Sequence, residues 1–389
     1  MIDANLLSFA SVRQAEILEA IEKYGSHRKA AKGLKINPCN VDRAVALVKR
    51  KAALQGYSPA HDMTRTVPDG FNVRGVSTFY DVEGKVRGQW IKSSADDERR
   101  DALYKEFIEE LAVGIKGLSP LVPAPTAVDS DLLAVYPIGD HHHGMKSDAE
   151  ETGSNYDCKI AGTVLETAVD YLVSLAPPAE TALLINLGDY FHANDSTNET
   201  PGHGNRLDVD TRYGRVMHSG ALALIRCVLR LLEKHKTVIV WNMRGNHDPD
   251  AAFSLAMAMC FYFHNEPRVT VDMGSSLYKY QRFGKNLIGS HHGHGAKGNE
   301  LPLIMAEDRK EDWGQTDFRV WHCGHIHHKT QKEFPGCVVE THRTLAGSDA
   351  WHAGKGYRSK RDMNAIIYHA KFGEVQRSRF DLAMVCPTR

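Results

Sequence analysis

The chain has 389 residues, of which 42% are hydrophobic and 25% are charged, and its 48 Lys and Arg balance its 48 Asp and Glu. This composition excludes a collagen-like, low-complexity or wholly disordered chain. No stretch approaches the roughly 18 apolar residues of a membrane span, so we expect no membrane partner. The N-terminus lacks a signal-peptide pattern, and seven scattered cysteines without a CxxC pair favour a cytoplasmic protein.

The N-terminal segment predicts three short helices. Apolar residues at helical spacing indicate a helix over 13–24, and a second helix is predicted over 27–34. Asn37 then reads as an N-cap with Pro38 in the first helical position, which opens a third helix to about Ala53. Three short helices with a tight turn before the third form the helix-turn-helix arrangement.

The segment 30–41 supports this arrangement in detail. It matches the common helix-turn-helix pattern, whose small core would be Ala30, Ala31, Leu34, Ile36 and Val41. Lys35 stands where the pattern usually has a turn glycine, a departure from the pattern that costs little if Lys35 adopts the left-handed backbone. We therefore predict a small all-α helix-turn-helix domain over residues 1–60.

This domain also carries local positive charge. Between Ser26 and Lys51 there are eight Lys and Arg against one Asp, a net charge of +7. Phosphate contacts supply most of the non-specific affinity of proteins for DNA, so DNA is the predicted partner. The third helix would enter the major groove. The candidate DNA-contacting residues are Arg28, Lys29, Asn40, Arg43, Lys49, Arg50 and Lys51. The alternative is a three-helix domain that binds another protein.

Residues 61–130 connect this domain to the rest of the chain. Two β-rich runs, 71–81 and 85–93, are separated by Val82-Glu83-Gly84 and predict a hairpin. An amphipathic helix is predicted over 96–112, and three prolines between 119 and 130 indicate a linker. The sequence does not indicate what these residues do.

From residue 131 to 389, strands and helices alternate, which predicts an α/β domain. Twelve of the 21 histidines lie in, or within three residues of, five short polar motifs, each just past an apolar strand. These motifs are Gly139-Asp140-His141-His142, Gly188-Asp189, Gly245-Asn246-His247-Asp248, His291-His292-Gly293-His294 and Gly324-His325-Ile326-His327. Asp, His and Asn are suitable ligands for borderline divalent metals. Alternate residues of an extended chain point the same way, so each Asp-x-His or His-x-His pair could reach one ion.

The five motifs, in this order, resemble those of the calcineurin-like metallophosphoesterase superfamily. The resemblance implies a β-sandwich flanked by helices and a site for two divalent metal ions, with Mn expected first and Zn, Fe or Ni as alternatives. The first ion would be held by Asp140, His142, Asp189 and His327, and the second by Asp189, Asn246, His292 and His325. His291 and His294 are alternatives to His292, which we prefer because it precedes a glycine.

The resemblance also implies a mechanism for phosphoester hydrolysis. A metal-bridging hydroxide would attack phosphorus, and His247 would protonate the leaving oxygen. Asp248 would either orient the imidazole of His247 or cap the helix that follows it.

Details of the motifs favour the nuclease branch of this superfamily. Asp140-x-His142-x-Gly144 and the run 324–331 resemble the double-strand-break-repair nucleases, and no Arg follows the second motif as it does in Ser/Thr phosphatases. Only 62 residues follow His327, so no ATPase partner is expected. A helix-turn-helix ahead of such a domain resembles bacteriophage and mobile-element proteins.

The sequence therefore predicts a metal-dependent DNA phosphodiesterase, in the host cytoplasm if it is encoded by a phage. A phosphatase or a cyclic-nucleotide phosphodiesterase is the enzymatic alternative. A DNA-binding regulator with a vestigial site is the alternative from another class. Self-association stays open.

Overall fold

The structure is a computed structural model that describes residues 3–61, 63–64, 71–81, 86–95, 117–356 and 358–384. The chain divides into two compact units, Met1–Glu110 and Leu111–Arg389. The helix predicted over 96–112 and the hairpin turn predicted at 82–84 lie outside the described residues. Within the described ranges, none of the helices combines the length and the hydrophobicity that crossing a bilayer requires.

The first unit begins with the three predicted helices. After a short 3-10 helix (Ala4–Phe9), they are α1 (Val12–Tyr24), α2 (His27–Gly33) and α3 (Pro38–Leu54). Each begins at a residue whose side chain accepts a hydrogen bond from the first turn, namely Ser11, Ser26 and Asn37. The predicted bounds are therefore confirmed to within one residue.

The turn between α2 and α3 accommodates Lys35 at the position where the pattern usually has glycine. Lys35 is left-handed, with φ 55°. Ala30, Ala31 and Val41 are fully buried, and Leu34 and Ile36 pack against the same cluster.

Two antiparallel strand pairs complete the described part of the first unit. Strands β1 (Tyr57–Ser58) and β2 (Met63–Thr64) form the shorter pair. Strands β3 (Phe71–Tyr80) and β4 (Val86–Ala95) form a two-stranded ribbon, which confirms the predicted pairing.

The second unit alternates strands and helices. Its elements in chain order are β5 (Asp129–Ile138), α4 (Ala149–Thr152), α5 (Cys158–Leu175), β6 (Ala179–Asn186), α6 (Tyr213–Leu232), β7 (Thr237–Asn242), α7 (Ala251–Tyr262), β8 (Val269–Val271), β9 (Lys279–Phe283), β10 (Asn286–His291), α8 (Leu301–Asp308), α9 (Lys310–Gln315), β11 (Phe318–Cys323), β12 (Thr330–Phe334), β13 (Cys337–Thr341), α10 (Ala350–Gly354), β14 (Asp362–His369) and β15 (Gly373–Asp381).

These strands form two mixed sheets. One has the order β15-β14-β5-β6-β7-β8, and the other has the order β12-β13-β11-β10-β9. The central strands β5, β6 and β7 are parallel to one another, as are β10, β11 and β13. Antiparallel strands lie on both sides of the second parallel set, but on one side only of the first, because β8 is parallel to β7.

The two sheets pack face to face. Leu183 and Trp241 of the first sheet share one buried cluster with Ile288 and Val320 of the second. A separate cluster joins the outer face of the first sheet to α5, α6 and α7, and another joins the second sheet to α8. The unit is thus a mixed α/β structure with a β-sandwich between helices.

Candidate metal centre

The predicted ligands follow five strands of the sandwich. From the first sheet, Asp140 and His142 follow β5, Asp189 follows β6 and Asn246 follows β7. From the second sheet, His292 follows β10, and His325 and His327 follow β11. Because these strands are parallel within each sheet, their carboxyl ends lie at one edge, and the structure brings the predicted ligands together there.

Asp140, His142 and His327 form the first group. Their ligand atoms lie within 4.8 Å of one another. Nε2 of His327 is 3.2 Å from Nε2 of His142 and 3.5 Å from Oδ1 of Asp140. Asp140 and His142 are buried. Two imidazole nitrogens and a carboxylate that face one common point form a suitable donor set for a borderline divalent ion.

Asp189, His292 and His325 form the second group, again with ligand atoms within 4.8 Å of one another. Nε2 of His292 is 3.2 Å from Oδ2 of Asp189 and 3.1 Å from Oδ1 of Asn246. The same nitrogen is 3.9 Å from Oδ1 of Asp140, so the two groups adjoin.

The geometry distinguishes His292 from its two histidine neighbours. Nδ1 of His292 donates to the carbonyl of Leu187, at 2.8 Å, which directs Nε2 toward the acidic side chains. Nδ1 of His291 accepts from the amide of Gly293 at 3.0 Å, and its ring stacks on Tyr278. The ring of His294 lies 5.2 Å from that of His292 and belongs to neither group.

Backbone strain is concentrated at the ligands. Among the described residues, seven non-glycine residues have a positive φ, and five of them are predicted ligands. These are Asp140, His142, Asp189, His325 and His327. Such conformations cost free energy and persist only where the surrounding structure imposes them, which typically occurs at functional sites.

His247, the predicted proton donor, lies beside the first group. Its ring centroid is 4.9 Å from that of His142, and its Nδ1 lies 3.0 Å from the carbonyl oxygen of His192. His192 also stacks on the His247 ring, and its Nδ1 is 3.3 Å from Nδ1 of His142. The sequence analysis did not assign His192 a role, although it is one of the twelve clustered histidines.

Asp248 has neither of the two predicted roles. Its buried Oδ1 accepts from the amides of Asp189 and Gly245, and Oδ2 accepts from the amide of Phe191. The hydrogen bond that orients the His247 ring comes instead from His192. The N-cap of α7 is Asp250, whose side chain makes no cap hydrogen bond. Asp248 therefore joins the loops after β6 and β7.

The electrostatics of His292, in the second group, depend on the carboxylates of Asp189 and of Asp140 from the first group. Burial alone would lower the pKa of His292, but Asp189 and Asp140 raise it to about 10. Burial raises the pKa of Asp189, and the stronger effect of His292 brings it well below its usual value. His142 also interacts with Asp189, although burial keeps the pKa of its ring well below 6.5. The site thus holds anionic charge that a bound cation would neutralise.

A further buried polar cluster lies between the two sheets. Nδ1 of His322 lies 2.9 Å from Nε2 of His342, and Nε2 of His322 lies 3.1 Å from the hydroxyl of Tyr368. The carboxylate of Glu340 accepts two hydrogen bonds from Arg377. His322, Glu340 and His342 satisfy the distance criterion for metal ligands. Because protein groups already pair these side chains, the cluster is a hydrogen-bonded link between β11, β13, β14 and β15.

The predicted DNA-contacting residues all lie on the surface of the first unit. At 100° per residue, Arg43 and Arg50 lie on the side of α3 opposite its buried residues, whereas Asn40 and Lys51 lie at one margin of the exposed surface. Lys49 lies at the other margin of the exposed surface. Asp42, the one acid of the positive segment, pairs with His27 at 2.6 Å.

Comparisons with known proteins give weak similarity only. No family model and no curated protein matches the sequence. Among solved structures, a dimetal phosphatase from Danio rerio is 10% identical, with a TM-score of 0.30 over 65% of this chain and 99% of that one. Vps29 complexed with zinc from Entamoeba histolytica is 13% identical, with a TM-score of 0.27 over 64% and 98%. The phosphopantetheinyl hydrolase of Mycobacterium tuberculosis is 13% identical, with a TM-score of 0.26 over 59% and 94%. At these values the similarities carry no argument about activity.

Proposed function

We propose that the chain is a phosphodiesterase that requires two divalent metal ions and hydrolyses DNA. The observation that carries this proposal is the convergence of the predicted ligands, from five separate loops, into two adjoining groups. Their chemistry fits such ions, because buried carboxylate and imidazole donors face a common space. The strained backbone at five of these residues supports the same conclusion.

Each ion has a set of residues that would hold it. The first would take Asp140, His142 and His327, and the second would take Asn246, His292 and His325. Asp189 would bridge them, because it approaches His292 directly and also acts electrostatically on His142 and His327. When bound, two such ions lower the pKa of a water molecule and neutralise charge on a phosphoryl group.

The protein itself would deliver a proton through His247. The carbonyl of His192 accepts the Nδ1 proton of His247, so Nε2 is the nitrogen left for the substrate. A protonated His247 can then donate from Nε2 to the leaving oxygen, as a general acid does. Stacking by His192 holds the imidazole plane in place. His192 is therefore a positioning residue for His247.

The choice of DNA rests on the first unit. Its positive segment carries a net charge of +7, and the basic residues on one side of α3 are exposed. DNA is attracted by such a surface through its phosphates. The motif resemblance to double-strand-break-repair nucleases points to the same substrate class. Mn²⁺ is the ion we expect to support activity best.

Hydrolysis by the full chain tests this proposal. The protein is incubated with Mn²⁺ and labelled single- and double-stranded DNA, and separately with p-nitrophenyl phosphate and its bis ester. We expect cleavage of DNA and of the bis ester, and loss of both on chelation. Hydrolysis of the monoester alone would make the protein a phosphomonoesterase and overturn the proposal.

A variant with fewer positive charges distinguishes DNA binding by the first unit from hydrolysis at the metal site. Replacement of Lys49, Arg50 and Lys51 by Ala should raise the KM for long DNA and leave hydrolysis of the bis ester unchanged. Each lost contact to duplex phosphate should reduce the salt slope of binding by about one unit. The matched control replaces three exposed lysines of the second unit, Lys159, Lys355 and Lys371. If the two triple variants change the KM for long DNA and the salt slope equally, the first unit has no specific role in DNA binding.

A further inference from the structure

The β3–β4 ribbon of the first unit exposes two large aromatic side chains. Trp90 retains 65% of its accessible surface and Phe79 retains 56%. Neither strand belongs to one of the two large sheets. Exposure of a tryptophan to this extent leaves most of its apolar surface in water, which is unfavourable unless a ligand covers it.

The strand register places these two rings on one face of the ribbon. Trp90 pairs with Ser77, and Phe79 pairs with Gly88. Paired residues share a face of an antiparallel ribbon, and so do alternate residues along one strand. Trp90 and Phe79 are therefore diagonal neighbours on the same face, with small residues opposite each of them. A Cβ atom built on Gly88 would meet nothing within 4 Å, so the surface beside the rings is open.

One basic residue lies on this face. Lys92 is exposed, lies two residues from Trp90 on the same face and pairs with Gly75. Arg87 is the extra residue of a bulge next to the Phe79–Gly88 pair and is also exposed. Its guanidinium lies 4.0 Å from the carboxylate of Asp81. Residues 71–95 contain four Lys or Arg against two acids, and residues 1–95 contain fifteen against nine, a net charge of +6.

We infer that this face of the ribbon binds single-stranded DNA by stacking unpaired bases on Trp90 and Phe79 while Lys92 contacts the phosphate backbone. Aromatic rings in a positive groove bind single strands without sequence preference, because every base presents a π-face. Duplex DNA does not offer its base faces. The net charge of +6 over residues 1–95 favours a polyanion over a protein as the partner of this face.

This inference rests on the proposed function in that DNA is the substrate, and it adds a preference for single strands. The ribbon belongs to the same unit as the basic helix α3, and β3 contacts that helix. The unit would then contact the duplex through α3 and an adjoining unpaired strand through the ribbon. Substrates with a single-stranded extension would bind best.

Binding of the full chain to fluorescein-labelled oligo(dT), followed by anisotropy, tests the inference. Trp90→Ala should weaken binding by roughly 5- to 100-fold, which corresponds to the loss of one base–aromatic stack. Trp90→Phe keeps a ring and should stay within a few-fold of the wild type. Lys92→Gln should reduce the salt slope by about 0.7, the value for one single-strand phosphate contact. Phe372→Ala is the matched control, because Phe372 is an aromatic residue of the second unit that is also 65% exposed.

Several outcomes would overturn the inference. One is that Trp90→Ala binds oligo(dT) with wild-type affinity. Another is that Trp90→Ala changes the oligomeric mass but not the affinity for oligo(dT), which would make the face a protein interface. Binding of oligo(rU) without binding of oligo(dT) would exclude DNA as the occupant. Failure of the proposed function looks different: the chain would cleave no DNA, yet its binding of oligo(dT) would still depend on Trp90.

Discussion

Replacement of Asp248 by Asn should destabilise the second unit and loosen the metal centre. The carboxylate accepts three backbone hydrogen bonds at 3.0–3.1 Å, from Asp189, Gly245 and Phe191. Burial and the nearby charge of Asp189 raise the pKa of Asp248 to about 7, and the amide donors oppose this shift. The side chain is thus an acceptor on both oxygens, which an amide cannot imitate.

The size of the effect follows from the donors. If the Asn oxygen faces Asp189 and Gly245, its NH₂ group faces the amide of Phe191, so one buried donor loses its acceptor. A buried unsatisfied donor and two weakened charge-assisted bonds together cost about 2–4 kcal/mol. For a unit of this size, that loss lowers the Tm by roughly 5–15 °C.

Thermal unfolding in metal-free buffer, followed by circular dichroism, measures this effect. The matched control is Asp250→Asn, because the exposed Asp250 accepts a single side-chain hydrogen bond, from Asn194. The control should change the Tm by at most 1–2 °C, since exposed polar contacts contribute little. Metal affinity should also fall in Asp248→Asn, because Asp189 and the loop of Asn246 lose their common anchor. A Tm equal to that of the control would refute this reasoning.

Three further results are expected. Asp189→Asn should abolish metal-dependent hydrolysis and lower the metal content of the purified protein, so two retained ions with normal turnover would contradict the bridging role. His247→Ala should keep both ions but lose ~10²–10⁴-fold in turnover on substrates with poor leaving groups, and lose less with p-nitrophenolate, which needs no proton. Equal losses on both substrates would exclude the general-acid role. The third result concerns the stability of the fold at low pH. Burial lowers the pKa of His322 to about 3 and that of His342 to about 4, whereas histidine in the unfolded chain has a pKa near 6.5. Unfolding therefore becomes easier as the pH falls from about 6 to 4, by roughly 1.4 kcal/mol per pH unit for each ring, and His342→Gln should show a shallower decline of Tm in that window.

Local signals made the helices of the first unit predictable. Serine and asparagine caps, a proline in the first turn and the spacing of apolar residues all act within a few positions of one another. The left-handed backbone of Lys35 agrees with the turn position that the pattern usually gives to glycine. The short helices α8 and α9 escaped prediction. Pro302 stands in the first turn of α8, and each helix has eight residues or fewer, too short for a clear periodicity.

The convergence of the candidate ligands was predictable for a different reason. Each motif follows a strongly apolar strand, and parallel strands bring their carboxyl ends to one edge. The partners of Asp248 were not predictable, because its hydrogen bonds to Asp189 and Phe191 span 59 and 57 residues. The role of His192 was not predictable for a similar reason. Its contacts with His142 and His247 join residues that are 50 and 55 positions apart, and they form only when the loops are folded.

The candidate metal centre lies at the boundary between the two sheets. Metal binding there would therefore oppose separation of the two sheets of the sandwich. Asp140, His142, Asp189 and Asn246 come from one sheet, whereas His292, His325 and His327 come from the other. Ions held by both sets would act as non-covalent crosslinks between the layers. Any fluctuation that separates the sheets would have to release them first. By mass action, an ion at one hundred times its Kd adds about 2.7 kcal/mol against such opening. Hydrogen exchange in β5 and β10 should therefore slow together when metal is added, although these strands belong to different sheets.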